Sequence, residues 1–256
     1  MSNQRVLEVV EDIERTLLEL FRKHQVTHDE YRAATDLIIA SIKEGEESLL
    51  FDVFFEAEAT DAINFGRVGS PAAIEGPFYL PGAPHLQAPC VMPQRPDEQG
   101  EPLVFRGTVF STEGAPLAGA ELDIWHADAD GLYSNIHPGI PDWNLRGRLH
   151  TGEDGSFEVQ TILPPPYEIP KHGPTGRVLS GLGRHCFRPA HLHLKVRAPQ
   201  REELTSQLYF AGGEYLDDDV ANAVRDGLVL ALEHDDAKWQ ASYDFVLEPA
   251  RQTVPA

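Results

Sequence analysis

The chain has 256 residues, which is enough for one large hydrophobic core or two smaller ones. Its 41 acidic residues outnumber its 21 basic residues, and the formal net charge of −20 argues against nucleic acid and anionic membranes, which such a surface repels. A small molecule is the partner that this composition favours.

The N-terminal part of the chain has the pattern of amphipathic helices. Apolar residues recur at helical spacing over residues 6–55, and Thr27 followed three residues later by Glu30 forms a capping box that predicts the start of a second helix. A third helix is predicted over residues 46–59. The apolar stripes could pack in a core or form a dimer surface. The sequence shows neither a signal peptide nor an apolar run that could cross a bilayer, so we expect a cytoplasmic protein.

A proline-rich stretch separates these helices from a region of β-type pattern. Six prolines between residues 77 and 96 predict an extended connector. The short β-type runs cover residues 103–110, 120–126, 155–161, 191–196, 207–210 and 243–247. Turn signals between the runs favour an antiparallel β-sandwich, so we predict a helical segment with its connector over 1–85 and a β-sandwich domain over 86–256. Cys90 and Cys186 are too few for a disulfide framework, and we expect both to be thiols.

Two histidines stand one residue apart in the run 191–196. A strand projects alternate side chains to one face, so His191 and His193 can both point at one ion. The same spacing occurs in zinc hydrolases and cupin-type iron sites. The positions at which those sites need acidic residues hold Lys195, Arg197 and Ala198 here, and neither alternative fits well.

Two tyrosines lie upstream in loops that glycine or proline restrains. Tyr133 follows Asp130-Gly131-Leu132, and Tyr167 lies between prolines in the stretch 164–170. Each could be an ordinary half-buried tyrosine. Phenolate is a hard anion, however, and two phenolates beside two imidazoles would form a shell suited to ferric iron.

Nine stretches of the chain closely resemble the intradiol ring-cleaving dioxygenases, specifically the catechol and chlorocatechol 1,2-dioxygenase group. They are residues 74–79, 122–126, 130–134, 145–147, 166–170, 173–176, 183–185, 188–193 and 204–207. The resemblance implies a helical segment joined to a β-sandwich and a homodimer formed through the N-terminal helices. It leaves open whether a lipid lies between these helices. It also implies one non-haem Fe(III) ion per subunit, held by Tyr133, Tyr167, His191 and His193.

The resemblance also implies roles for residues around the iron. Tyr167 leaves the metal when substrate binds and accepts a proton, while the Arg188 guanidinium stabilises negative charge that develops on the ring. Gln207 orients Arg188 or a histidine ligand. The positions implied to surround the aromatic ring of the substrate are Leu49, Asp52, Val53, Ile74, Gly76, Pro77, Phe78 and Cys186.

The implied reaction is cleavage of catechol, or of chloro- and methylcatechols, with O2 to cis,cis-muconates in the catabolism of aromatic compounds. The segment 47–55 is more similar to the chlorocatechol branch than to the hydroxyquinol enzymes, which are the alternative. A different alternative is a non-catalytic binding module, because residues 116–122 and 152–157 resemble transthyretin-like domains. The complete ligand set together with Arg188 argues against a simple binding module.

Overall fold

Two long helices form the N-terminal unit. In the computed structural model, which describes residues 3–235 and 237–250, the chain divides into the units Met1–Glu47 and Ser48–Ala256. Helix α1 covers Asn3–His24 and α2 covers His28–Glu44. The predicted capping box is confirmed, since Thr27 Oγ1 accepts from the Glu30 amide and the Glu30 carboxylate accepts from the Thr27 amide at 2.8 Å.

The apolar side chains of these two helices are largely exposed in this single chain. Ile13, Leu17 and Ile42 are 53%, 49% and 59% exposed, respectively. The sequence allowed the apolar stripes of these helices either to pack in a core or to form a dimer surface. Core packing is therefore wrong for these three residues. None of the described helices has the length and apolar character needed to cross a membrane.

The predicted third helix is interrupted by a π-helical turn. Helix α3 covers Glu47–Phe51, the π turn covers Asp52–Glu56, and α4 covers Ala57–Asn64. Apolar spacing in the sequence does not reveal a π turn, because such a turn inserts one residue into a helical pattern that otherwise continues. A further short helix, α5, covers Pro174–Gly181.

The larger unit contains two five-stranded sheets and a two-stranded sheet. Its strands are β1 Pro102–Ser111, β2 Glu121–Trp125, β3 Arg146–His150, β4 Ser156–Ile162, β5 Tyr167–Glu168, β6 Phe187–Arg188, β7 His191–Arg197, β8 Leu204–Phe210, β9 Val229–Leu230, β10 Glu233–His234, β11 Trp239–Ser242 and β12 Phe245–Leu247. One sheet has the order β10-β11-β1-β12, with β4 also paired to β1. The other has the order β3-β2-β7-β8-β9, and β5 pairs with β6.

The sheets are mixed, so the prediction of a purely antiparallel arrangement is wrong. Strand β1 pairs antiparallel with β4 but parallel with β11 and β12, and β8 pairs parallel with β9. Parallel neighbours need long crossover connections rather than tight turns. The turn signals in the sequence mark hairpins, and they carry no information about strands that return from far along the chain.

The main hydrophobic core contains side chains from both large sheets. Phe105 and Val159 of one sheet and Leu122 and Leu194 of the other are at most 1% exposed and belong to one cluster. Each such burial stabilises the fold by about 1.5–3 kcal/mol. The leucines of β7 alternate with its histidines, so the histidines lie on the opposite face of the sheet from this core.

Candidate active site

Strand β7 brings two histidines to one point. The Nε2 atoms of His191 and His193 lie 2.9 Å apart. The sheet register places Trp125 of β2 and Gln207 of β8 opposite His193. The indole ring stacks on the His193 imidazole with centroids 4.8 Å apart, and the Gln207 amide nitrogen lies 3.2 Å from its Nδ1. The Nδ1 of His191 contacts the carbonyl oxygen of Pro189 at 2.7 Å, so both imidazoles present Nε2 to the same space.

Two tyrosines approach the histidines from outside the sheet. Tyr133 lies in the loop after β2, and Tyr167 begins β5, where it pairs with Arg188. The centroid of the Tyr167 ring is 5.5 Å from that of Tyr133 and 5.6 Å from that of His191. The Tyr133 and His193 rings are 6.1 Å apart. The structure thus brings together the four side chains predicted as iron ligands, and all four are buried.

Burial keeps these four groups neutral in the absence of a cation. Burial, followed by the charge of Arg188, lowers the pKa of His191 to about 3, and burial lowers the pKa of His193 well below its usual value. Burial also raises the pKa of both Tyr133 and Tyr167. Neutral imidazole is the form that binds a metal, whereas the phenols need a nearby cation to ionise.

The hydroxyl of Tyr133 is fully buried and makes no well-aligned hydrogen bond to any described residue, although the Tyr167 hydroxyl lies close enough to interact with it. A buried hydroxyl without a partner costs about 1–3 kcal/mol. A metal ion bound to this oxygen and to the two Nε2 atoms would remove that cost. The donor set of two hard phenol oxygens and two imidazoles therefore fits Fe(III).

Arg188 is held by a buried network. Its Nε and Nη2 donate to the two carboxylate oxygens of Asp219 at 3.1 and 3.0 Å. Nη2 also lies 2.9 Å from Gln207 Oε1 and 3.1 Å from Tyr209 Oη. Nη1 lies 3.3 Å from His191 Nε2. The bonds to Asp219, Gln207 and Tyr209 use Nε and Nη2, which carry three of the five N–H donors. The Nη1 end has only the contact with His191 Nε2, and a metal bound to that nitrogen would free Nη1 to act on another molecule.

A narrow cavity of about 20 Å³ is lined by Tyr167 and Arg188. Its walls include seven of the eight residues predicted to surround a substrate ring: Leu49, Asp52, Val53, Ile74, Gly76, Pro77 and Phe78. The eighth, Cys186, does not line it. Its side chain packs into the apolar cluster around the cavity with Leu49, Val53 and Phe78, and it is only 9% exposed.

Several residues of the site were missed by sequence reasoning. Asp219 and Tyr209 hold Arg188, while Glu56, Ile169 and Ala221 complete the cavity wall. Asp219 is the last of three consecutive aspartates, and nothing local distinguishes the one that is buried. A feature that could have pointed to Tyr209 is its position two residues after Gln207, on the same face of β8.

Glu56 anchors the chain segment that covers the cavity. Its Oε1 accepts a hydrogen bond from the Glu75 amide at 2.8 Å, and its Oε2 is buried without a hydrogen-bond partner among the described residues. Burial raises the pKa of this carboxyl group. Because Gly76 and Pro77 follow directly, the bond from the π turn helps to set the position of this wall of the cavity.

Substituting Gly131 should test how tightly Tyr167 is positioned. Gly131 has φ +79°, and a Cβ there would lie 2.8 Å from Tyr167 Cβ. Gly212 has φ +78° and open space around it, so it is a matched control. Both alanine variants should lose about 1–2 kcal/mol from the left-handed backbone. Only Gly131→Ala should lose about 1–3 kcal/mol more from overpacking and show reduced activity, as measured by thermal unfolding and turnover. Equal losses in the two variants would contradict this.

The chain has relatives of known activity. The family model for dioxygenases matches residues 74–249. The chain is 40% identical to a chlorocatechol 1,2-dioxygenase of Rhodococcus opacus, over 97% of this chain and 99% of that protein. It is 37% identical to a catechol 1,2-dioxygenase of Acinetobacter baylyi, over 92% of this chain and 79% of that protein.

A solved structure shows the same similarity in three dimensions. The crystal structure of 3-chlorocatechol 1,2-dioxygenase from Rhodococcus opacus matches with a TM-score of 0.94 and 42% identity, over 97% of this chain and 100% of that chain. The family match thus covers most of the larger unit, and the relatives align over nearly the whole chain. The chain therefore belongs to the intradiol ring-cleaving dioxygenases, in the catechol and chlorocatechol 1,2-dioxygenase group.

Proposed function

We propose that this protein cleaves catechol and chlorocatechols with O2 between the two hydroxyl-bearing carbons, to give cis,cis-muconates. The observation that carries the proposal is the convergence of Tyr133, Tyr167, His191 and His193 beside a narrow cavity whose walls contain seven of the eight positions predicted to surround a substrate ring. The names of the relatives agree with it. Methylcatechols are further candidate substrates, because a methyl group and a chlorine atom are similar in size.

One Fe(III) ion per subunit is the proposed cofactor, with Tyr133, Tyr167, His191 and His193 as its ligands. When bound there, it would take up both hydroxyl oxygens of a catechol and make the ring reactive toward O2. The fit of Fe(III) to these residues rests on the buried Tyr133 hydroxyl, which lacks a well-aligned hydrogen bond, and on two imidazoles that stay neutral.

Tyr167 is the residue that we assign to accept a proton from the substrate. It lines the cavity, whereas Tyr133 does not, so a substrate hydroxyl would meet the Tyr167 oxygen first. Burial raises the pKa of Tyr167 and the nearby charge of Arg188 lowers it. As a phenolate it is therefore a strong enough base to take a catechol proton.

Arg188 and Gln207 complete the proposed machinery. The Nη1 end of Arg188 would donate to negative charge developing on the substrate oxygens and ring. Gln207 touches both Arg188 and His193, so it fixes their relative positions. Glu56 and Asp219 act as positioning residues, through the cavity wall and through Arg188 respectively.

We also assign two structural features to this function. The shared core of the two large sheets supports the proposed β-sandwich. We also propose the functional division at 85/86, because residues before it supply part of the cavity wall and the four proposed iron ligands lie after it. The exposed apolar faces of α1 and α2 form the proposed homodimer interface. The resemblance leaves open whether a lipid lies between the two subunits.

Replacing Ile13 and Leu17 by glutamate should give monomers in sedimentation, whereas Glu14→Gln should not.

The visible spectrum tests the iron assignment directly. Iron-replete protein should be coloured by tyrosinate-to-iron charge transfer, and anaerobic catechol should move the band to longer wavelength. Admitting air should restore the band as muconate absorbance appears. Parallel runs with chlorocatechols and hydroxyquinol would rank the substrates. A colourless protein with a full complement of iron, or one that responds to none of these substrates, would overturn the proposal.

Widening the cavity should change substrate preference. Val53→Ala removes two methyl groups from the wall, and a single methylene in such a pocket is worth about 1–3 kcal/mol. We expect kcat/KM for chlorocatechols to rise roughly 10-fold relative to catechol. Leu50→Val is the control, because Leu50 is buried in the same helical stretch but does not line the cavity. The same change in ratio for both variants would mean that Val53 does not contact the substituent.

A further inference from the structure

A second group of side chains that could bind a metal lies outside the proposed iron site. His85, Glu121 and His150 each offer one ligand atom, and these atoms lie within 4.8 Å of one another. The Nε2 atoms of His85 and His150 are 3.8 and 4.0 Å from the same oxygen, Oε2 of Glu121. The two imidazole rings stack with centroids 4.8 Å apart and planes 11° apart. The group shares no residue with the iron site.

Backbone pairing, not flexible loops, brings the three residues together. Glu121 of β2 stands opposite His150 of β3 in the sheet register. His85 belongs to the connector and forms a β-bridge with Arg148. Hydrogen bonds of 2.7 and 2.8 Å between Arg148 and the residues on either side of His85 hold that bridge. The three donors therefore sit on adjacent backbone segments along one edge of the sheet.

We infer that His85, Glu121 and His150 form a second cation site, for a divalent ion of the Zn²⁺, Ni²⁺ or Cu²⁺ class. Imidazole suits these ions, and three protein ligands plus water is a common arrangement for Zn²⁺. Ligands at about 2.0–2.1 Å from a tetrahedral ion lie roughly 3.3 Å apart. The stacked imidazoles must turn about their side-chain bonds so that both Nε2 lone pairs point at one ion. Both rings are partly exposed, so they have room to turn and an ion can reach them.

Two arginines define the charge around Glu121. Arg197 Nη1 donates to its Oε1 at 3.0 Å, which leaves Oε2 directed at the imidazoles, as an outer partner of a metal ligand does. Arg148 Nη1 lies 3.5 Å from Oε2 and opposes a cation there. The Arg148 Nε is bound to the Ala83 carbonyl at 2.7 Å. The ion must compete with Arg148 for one oxygen, while the strongly acidic chain raises the local cation concentration.

Zinc titration of the iron-loaded protein tests the site. Calorimetry should detect one Zn²⁺ equivalent that is lost or strongly weakened in His85→Gln and His150→Gln. The loss should exceed the ~10–100-fold that removal of an outer partner causes. His234→Gln is the control, because it removes a histidine from another surface strand. Unchanged tyrosinate colour would show that zinc has not displaced the iron, and unchanged melting would show that the variants fold.

A second measurement does not depend on variants. Cu²⁺ bound to the wild-type protein should give an electron paramagnetic resonance signal with superhyperfine splitting from two equivalent nitrogens. Zinc binding that is equal in wild type and in the His85→Gln/His150→Gln double variant would overturn the inference. So would the absence of saturable zinc binding, or a copper signal without nitrogen splitting. These outcomes are independent of whether the iron site cleaves catechols.

Discussion

Tyr133→Phe should abolish ring cleavage and alter the visible band, yet make the iron-free protein more stable than iron-free wild type. Loss of the phenol removes one proposed iron ligand. In the iron-free protein, however, the hydroxyl is buried and makes no well-aligned hydrogen bond to the described residues, because its close neighbour, the Tyr167 hydroxyl, is poorly placed, so deleting it removes an unfavourable group. Because an unpartnered buried polar group costs about 1–3 kcal/mol, we expect the free energy of unfolding to rise by about 1 kcal/mol or more. Chemical denaturation of the iron-free proteins measures this.

Tyr209→Phe is the matched control for that experiment. Tyr209 is also fully buried, but its hydroxyl donates to Gln207 Oε1 at 2.6 Å and accepts from Arg188. Removing it should therefore lower the stability of the iron-free protein by about 1–3 kcal/mol. If Tyr133→Phe lowers stability to the same extent, the Tyr133 hydroxyl has a partner in solution. If the iron-loaded variant keeps the wild-type visible band unchanged in position and intensity, Tyr133 is not an iron ligand.

Sequence reasoning succeeded where the signal is local. The capping box at Thr27 and the six β-type runs depend on residues a few positions apart, and each of these runs overlaps a strand. The strands that were missed are short or polar. Strand β3, Arg146–His150, has no apolar alternation, and its pairing with β2 holds it in the sheet. Likewise, parallel pairing of β1 with β11 depends on residues more than a hundred positions apart, which no local pattern records.

The candidate site shows the same limit. The four ring-bearing residues lie in distinctive local patterns, so they could be proposed from the sequence. Asp219 and Glu56 act through contacts with Arg188 and Glu75 that form only when separate elements pack together. Cys186 was expected at the cavity wall, yet it lies in the cluster around it. Proximity along the chain does not decide which side chain of such a cluster reaches the cavity surface.

Arg188→Gln should lower kcat by roughly 10²–10³-fold while the iron and its colour remain. The Nη1 end of Arg188 takes no part in the Asp219 network, so its loss removes the donor that we propose acts on the reacting charge. The same substitution also leaves the Asp219 carboxylate buried without its cation. Breaking one side of a buried pair costs about 3–5 kcal/mol, so a simple loss of activity could reflect partial unfolding.

The double variant Arg188→Gln/Asp219→Asn separates the two effects. The amides of Ala221 and Ala223 donate to different oxygens of the Asp219 carboxylate. Asparagine removes the uncompensated charge and keeps one accepting oxygen, so it can retain one of these two hydrogen bonds. We therefore expect the double variant to recover part of the lost stability and none of the lost kcat. Recovery of kcat together with stability would mean that Arg188 only supports the fold. A stable double variant with iron colour, normal substrate binding and a slow chemical step would instead assign the guanidinium to the charge that develops on the ring.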